Sequence, residues 1–381
     1  MLPLEGITVV EFAQFMAGPS AGLKLADLGA RVIKIERPKV GESGRQIAIK
    51  NLFIDNDSLV FHTINRNKES FAANLKDTDD LDKIKKLLCQ VDVMTHNFRP
   101  GVMEKIGLDY RSVKKMNSKI IYGDITGYGK KGPWAKKPGQ DLLIQSLSGV
   151  TYLTGNKEDN PTPMGIAASD MFTGGHLAQG ILAALYQRTK TGEGAMISVS
   201  LLESTLDMQF EGLTTYLNND NQLPVRAYQG NAQPLLAAPY GIYKTFDSNI
   251  AISMVDLPVL LQAMDIETPS EFSEPDSWFE NRDEIMKYLA LVFIKKTTKH
   301  WLAIFDEKNI WSAPIYDYHT LLNHPGFTAL KMIQEVKTLH GEVIKTTRCP
   351  FRIDGERIFS CKSAPTVGED NEKINEEFNL N

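Results

Sequence analysis

This sequence predicts an α/β fold built on a parallel sheet, joined to a second and smaller α+β part. Three observations carry that prediction. GITVVEF at residues 6–12, a helical stretch to about Leu28, and ARVIKIE at 30–36 make a strand–helix–strand unit, the pattern of a right-handed parallel crossover. Strand-like and helix-like segments then alternate as far as AMISVS at 195–200. From Tyr240 the pattern changes to a hairpin, YGIYKTF and IAISMV around an Asp-Ser-Asn turn, followed by helices.

The first unit has its own punctuation. Pro19 suits a first helical position and Gly29 a helix end. The unit lacks GxGxxG, so the pyrophosphate logic of a dinucleotide fold does not carry over. Further on, a helix at 78–89 precedes the strand VDVMTH at 91–96. Asn97-Phe98-Arg99-Pro100-Gly101 then forms a loop at that strand's carboxyl end. Short helices around 102–106 and 110–116 lead to KIIYGDI at 119–125 and the loop TGYGKKGP. Pro138-Gly139-Gln140-Asp141 opens another helix, to about Leu147. Ligands of open α/β sheets sit outside the carboxyl ends of strands. Here those ends carry Phe15-Met16, Arg37, Asn97-Phe98-Arg99 and the Gly/Lys loop, a set suited to a ligand with phosphates and an aromatic ring. Each also reads as an ordinary turn or a solvated charge. A helix at 201–217 and a polar boundary at 218–224 precede the hairpin. Helices near 257–264, 281–295 and 298–307 follow it. Short strands return from about 320, and the acidic GEDNEKINEEF reads as a surface helix or frayed tail.

At 381 residues the chain has room for two domains, or one large domain with an insertion. A net charge of −5 argues against wholesale binding to nucleic acid or an anionic membrane. Cys89, Cys349 and Cys361 are dispersed, which suits a reducing compartment, and the seven histidines form no metal-binding pattern. No signal-peptide pattern and no membrane-length apolar run is visible. The expectation is a cytoplasmic enzyme or binding protein without a metal.

One stretch organises the rest: MGIAASDMFTGGHLAQGILAALYQRTK. Asp170 stands at the start of a long helix whose apolar and small residues recur at 171, 175, 178, 182 and 185, with a second stripe at 174, 177, 181 and 184. Gly174 and Gly175 leave room for a close approach to its first turns. From this stretch alone Asp170 is either the helix N-cap or a group for nucleophilic or proton-transfer chemistry.

In order along the chain, LEGITVVEFAQFMAGPSAGLKLADLGARVIKIERP, NRNKES, VDVMTHNFRPG, IIYGDITGYGKKGP, the Asp170 segment, ALYQRTKTGEGAMISVSLLES and GNAQPLLAAPYGIYKT resemble the class III coenzyme A transferases, the CaiB–BaiF family. The resemblance covers almost the whole chain. It implies a Rossmann-like large domain made from both chain ends (1–218 and 319–381), a small α+β domain inserted at 225–318, and a homodimer of interlocked rings. It implies that Asp170 is the catalytic nucleophile. It further implies that Met16, Ala17, Arg37, Ala73, Asn74, Lys76, Asn97, Phe98, Arg99, Lys105 and Lys137 fall where family members contact coenzyme A. CoA and its esters would then be substrates, with a carboxylic acid as partner, rather than a permanently bound cofactor.

Departures from the family's branches narrow the reading. Met16 replaces the glutamine of the formyl-CoA transferase branch. That branch's glycine-rich lid is missing between 230 and 260, where Gly230-Asn231 occurs instead. The α-methylacyl-CoA racemases of the same family use a His-Asp pair before the central helix. Here Gln140-Asp141 stands at that place, and glutamine cannot be a general base. His96 or His176 would have to substitute. A non-catalytic CoA-binding protein is the remaining alternative.

Overall fold

The computed structural model describes residues 1–360 and 362–380. Cys361 lies outside the described residues; Cys89 and Cys349 are free thiols. Six strands form one parallel sheet: β1 (Thr8–Glu11), β2 (Arg31–Glu36), β3 (Lys68–Ala72), β4 (Val93–His96), β5 (Ile121–Thr126) and β6 (Met196–Ser200). Their spatial order is β3-β2-β1-β4-β5-β6. This is a doubly wound order, in which the direction of winding reverses between β1 and β4.

The strands' alternation builds two apolar layers. Val10, Ile33, Met94 and Tyr122 share one core with Ile84, Leu87 and Leu88 of helix α2 (Thr78–Leu88). Val9, Val32, Val93 and Ile121 share the other with Ala21 and Leu25 of α1 (Ala17–Asp27) and Leu177, Ile181 and Ala184 of the long helix Ala168–Thr191. Adjacent residues of a strand point to opposite faces, so each dipeptide serves both layers.

β3 was not legible as a strand. Its sequence, KESFA, lacks an apolar run because Lys68, Glu69 and Ser70 are all buried in polar contacts. The acidic tail is not frayed. Its helix, Asn371–Glu377, buries Ile374, and the side chains of Asp370 and Asn371 accept the N–H groups of Ser70 and Ala72 at 2.9 and 2.7 Å. These bonds satisfy donors of an edge strand. Pro19 is the third helical residue rather than the first, since α1 starts at Ala17. The expected helix 201–217 is two, Leu201–Met208 and Phe210–Asn218, divided at Gln209.

The chain separates into two compact units, one of Met1–Ile144, Ala167–Met208 and Leu330–Asn381, the other of Gln145–Ile166 and Gln209–Ala329. These limits differ from the expected 218, 225 and 319. Long-range polar contacts draw 145–166 into the second unit: Arg226 donates to the carbonyls of Thr154 and Asp159, both at 2.7 Å, and Asn231 N–H to Asn156 Oδ1 at 3.1 Å. The second unit contains the expected hairpin. Strands Gly241–Lys244 and Asn249–Ile252 are antiparallel, with Ser312–Pro314 beside the latter. They cover a core that includes Leu260, Leu289, Phe293 and Trp301.

The close approach at Gly174 is that of α1. A Cβ there would stand 1.8 Å from Ser20 Oγ and 2.6 Å from the Ala17 carbonyl oxygen. At Gly175 the nearest atom would be Lys24 Cε at 4.0 Å. Gly174→Ala should therefore lower stability by about 1–3 kcal/mol through overpacking. Gly175→Ala should raise it by about 0.5–1 kcal/mol, by removing a helical glycine. Urea denaturation of the two variants checks both signs.

Candidate active site

A parallel sheet sends every strand-to-helix loop to one edge. Residues 12–16 follow β1 there, Arg37 follows β2, residues 73–76 follow β3, 97–99 follow β4, and the loop 127–140 follows β5. The helices after the 127–140 loop are α3 (Asp141–Ser148) and, after a shorter one at Val150–Leu153, α4 (Ala168–Thr191). Because β6 follows α4 directly, α4 starts at the carboxyl edge and runs back across the sheet. Its first turn, carrying Asp170, joins the loops.

At the switch point the loops after β1 and β4 are stitched together. Asn97 Nδ2 donates to the Gln14 carbonyl at 2.7 Å, and Asn97 Oδ1 accepts the Gln14 N–H at 2.9 Å. Its amide thus braces the chain that leads to Met16, the half-buried residue before α1, and to Ala17, buried as its first residue. Phe98 donates its N–H to His96 Nδ1 at 3.3 Å. Arg99 is exposed.

Arg37 is exposed, its guanidinium directed to the Gly41 carbonyl at 3.2 Å and Ser43 Oγ at 3.4 Å. Ala73 is buried and donates to the Glu36 carbonyl at 2.8 Å; Asn74 and Lys76 are exposed beside it. Lys105 is exposed in the short helix Val102–Lys105, and Lys137 is exposed in the loop before α3. In that loop Lys130 folds back onto buried Asp124 at 2.9 Å. The structure therefore gathers Met16, Ala17, Arg37, Ala73, Asn97 and Phe98 at the strand ends. Lys105 and Lys137 sit on the elements beyond them.

Asp170 is the third residue of α4, not its cap. Ala167 holds the cap position and makes no side-chain bond. The cap comes from elsewhere: Asp141 Oδ1 accepts the Asp170 N–H at 3.2 Å. This pairing spans 29 residues, so nothing local in the sequence announced it. The Asp170 carboxylate makes no hydrogen bond or ion pair among the described residues. Burial, and then the charge of Asp141, push its pKa up to about 7. A carboxylate short of partners is the condition in which a nucleophile keeps its reactivity.

Neither histidine supplies a base for Asp170. His96 is buried, and burial lowers its pKa to about 4, so it is neutral and accepts from Phe98. His176 lies about 120° around α4 from Asp170 and nearly two turns further along. It contacts Ser204 Oγ at 3.1 Å and Asp207 at 3.3 Å on the helix Leu201–Met208.

The model of CoA-transferase family III matches residues 4–371. The chain belongs to that family. It is 32% identical over 327 residues to a succinyl-CoA:glutarate CoA-transferase of Mus musculus, covering 83% of this chain and 72% of the relative. It is 32% identical over 338 residues to an acetyl-CoA:oxalate CoA-transferase of Acetobacter aceti, covering 87% and 85%. The crystal structure of a CaiB/BaiF family protein from Brucella suis matches with a TM-score of 0.85 at 29% identity, over 99% of both chains. The likeness bears out the α/β class and the parallel central sheet. The names of the relatives identify an enzyme that transfers CoA, and they favour transferase over racemase.

Cavities also lie away from Asp170. One of about 450 Å³ lies at the opposite edge, beside Asp92, Asn117 and Arg188, and others lie in the second unit.

Titrating the Asp170 carboxyl by carbon NMR should give a midpoint of about 7. Asp141→Asn should bring it down, since it removes a like charge while keeping an acceptor for the Asp170 N–H. Between about pH 4 and 7 the folded chain holds a proton that the unfolded chain has released, so this group lowers stability as pH rises through that window. Asp170→Asn should remove that component of the stability–pH curve.

Proposed function

We propose that the protein moves CoA from an acyl-CoA to an acceptor carboxylic acid through covalent intermediates on Asp170. Family membership supports the reaction class. The observation that carries the assignment to Asp170 is an unpaired, half-buried carboxylate at the carboxyl edge of the sheet, raised to a pKa of about 7.

An ionised Asp170 oxygen attacks the thioester carbonyl. The C–S bond breaks, giving a mixed anhydride and CoA thiolate. The thiolate then attacks the aspartyl carbonyl, which releases the donor acid and leaves an aspartyl-CoA thioester. The acceptor carboxylate attacks this thioester and expels the thiolate, forming a second anhydride. Thiolate attack on the acceptor's carbonyl gives the new CoA ester and restores Asp170. One thioester is made for one consumed, so the exchange calls for no nucleotide. Asp141 takes the Asp170 N–H, which leaves those of Ala168 and Ser169, without an intrahelical acceptor, to stabilise developing oxyanions in this reading.

In this reading Met16, Ala17, Arg37, Ala73, Asn74, Lys76, Asn97, Phe98, Arg99, Lys105 and Lys137 form the CoA surface, with the lysines and arginines near the phosphates. Asn97 serves through its hold on Gln14. Dicarboxylic acids are the first acceptors to test, because the mouse relative is named for succinyl-CoA and glutarate. The reading includes a cytoplasmic location. Among the described residues no helix is long and apolar enough to cross a membrane.

The reading also includes a homodimer. Leu142 and Leu143 of α3, and Met171, Phe172 and Tyr186 of α4, are exposed apolar side chains on two helices of the site. Exposed apolar surface of this kind is suited to a partner chain. Light scattering should give a mass near twice 42.6 kDa; a monomer would contradict the dimer.

The reaction is tested with succinyl-CoA and acetyl-CoA as donors against glutarate, succinate and oxalate, with new CoA esters read by chromatography. Exchange should fall by at least about a thousandfold in Asp170→Ala, the scale of losing a covalent route. For the wild-type protein kcat/KM should decline as pH drops below about 7, where Asp170 takes up a proton. Exchange undiminished in Asp170→Ala would refute the assignment.

A further inference from the structure

Phe15 is in the left-handed region, with φ of 66°. All other non-glycine residues with positive φ among the described residues are Asn, Asp or Lys, so Phe15 is the one aromatic side chain held there. The region disfavours side chains with a Cβ and tolerates Asn best. Something must hold Phe15, and the structure shows what. Its N–H donates to Glu42 Oε2 at 2.8 Å. Glu42 is 3% exposed, and its other carboxylate oxygen lies 3.3 Å from the Lys34 ammonium. Lys34 in turn donates to the Ala13 carbonyl at 2.8 Å. With Asn97 on both polar groups of Gln14, three consecutive residues of the loop are held by buried or half-buried side chains from three other segments. The next residues, Met16 and Ala17, lead into α1, which packs against the Asp170 helix at Gly174.

We propose that Glu42 is a positioning residue for the CoA ester. By holding Phe15 in its left-handed conformation it sets Met16 and Ala17 at the switch point. The proposal rests on the CoA surface described above and is independent of whether Asp170 is the nucleophile. Strained backbone held by its surroundings recurs at ligand sites, where the strain presets a shape the chain would not otherwise keep.

The test is a double-mutant cycle on the full-length protein, with Glu42→Ala, Phe15→Asn and the double variant. Free CoA is the probe, its Kd measured by calorimetry. Glu42→Ala should weaken CoA binding by about tenfold, while in the Phe15→Asn background, where the conformation costs less, the same change should weaken it by only about twofold. In turnover, Glu42→Ala should raise the KM for the acyl-CoA and leave the KM for the acceptor acid near its wild-type value. Equal penalties in both backgrounds, or no penalty, would overturn the proposal. Should Glu42→Ala not fold, amide hydrogen exchange of the wild-type protein decides: a protected Phe15 N–H supports the proposal and a freely exchanging one refutes it. Asp170→Ala, run in parallel for exchange activity, shows separately whether the nucleophile assignment stands.

Discussion

Glu11, Lys34 and Lys68 are wholly buried between the sheet and α1, and the fold depends on their meeting one another there. Lys68 donates to both oxygens of Glu11, at 2.9 and 3.1 Å, and also to the Pro19 carbonyl and Asn65 Oδ1. Lys34 reaches Glu11 at 3.1 Å and Glu42 at 3.3 Å; the Glu42 N–H donates to Glu36 at 3.0 Å, and Glu36 pairs in turn with Arg45. Burial works against the Lys34 charge, but Glu42, Glu11 and Glu36 hold its pKa above the ordinary value. Burial lowers that of Lys68 to about 8, with Glu11 offsetting part of the effect. Removing one partner from such a cluster would leave an uncompensated buried charge, a loss of about 3–5 kcal/mol. Strand register makes the meeting possible, since Glu11 lies beside Lys34, and Lys34 beside Ser70. Helix α1 then has to come close. At Gly22 a Cβ would stand 1.8 Å from Glu11 Oε2, so only glycine lets the helix rest on the cluster.

The same cluster shapes the strand ends. Lys34 and Glu42 fix the loop after β1, and that loop fixes the start of α1. Against this background Asp170 is the exception. Nearly every other buried charge at this edge is paired, whereas the nearest charge acting on Asp170 is another carboxylate. Pairing makes a rigid platform; withholding a pair leaves one group reactive. That contrast is the physical basis for the proposed nucleophile.

Much of this was legible in the sequence. GITVVEF and ARVIKIE gave β1 and β2 because their alternate residues feed two apolar layers, and the 165–190 stretch gave α4 because its stripe at 174, 177, 181 and 184 is a face it buries; the other stripe is only partly buried, with Met171 exposed. β3 was hidden because Lys68 and Glu69 are charged residues satisfied by partners far away in sequence. Asp141 was visible as a helix opener, but its bond to Asp170 N–H exists only after folding. The role of Gly174 was half legible: a close approach was expected, but the approaching element, α1, was not. Family resemblance supplied the candidate CoA residues, which composition and spacing could not have chosen among the many turns and surface charges.

Mass spectrometry of the Asp170 peptide, taken after rapid acid quench of the protein mixed with succinyl-CoA, tests the central claim most directly. The expected product is a peptide heavier by one CoA in thioester linkage to Asp170, discharged when an acceptor acid is added before the quench. An unmodified Asp170 peptide during active exchange, or a CoA adduct on another residue, would contradict it.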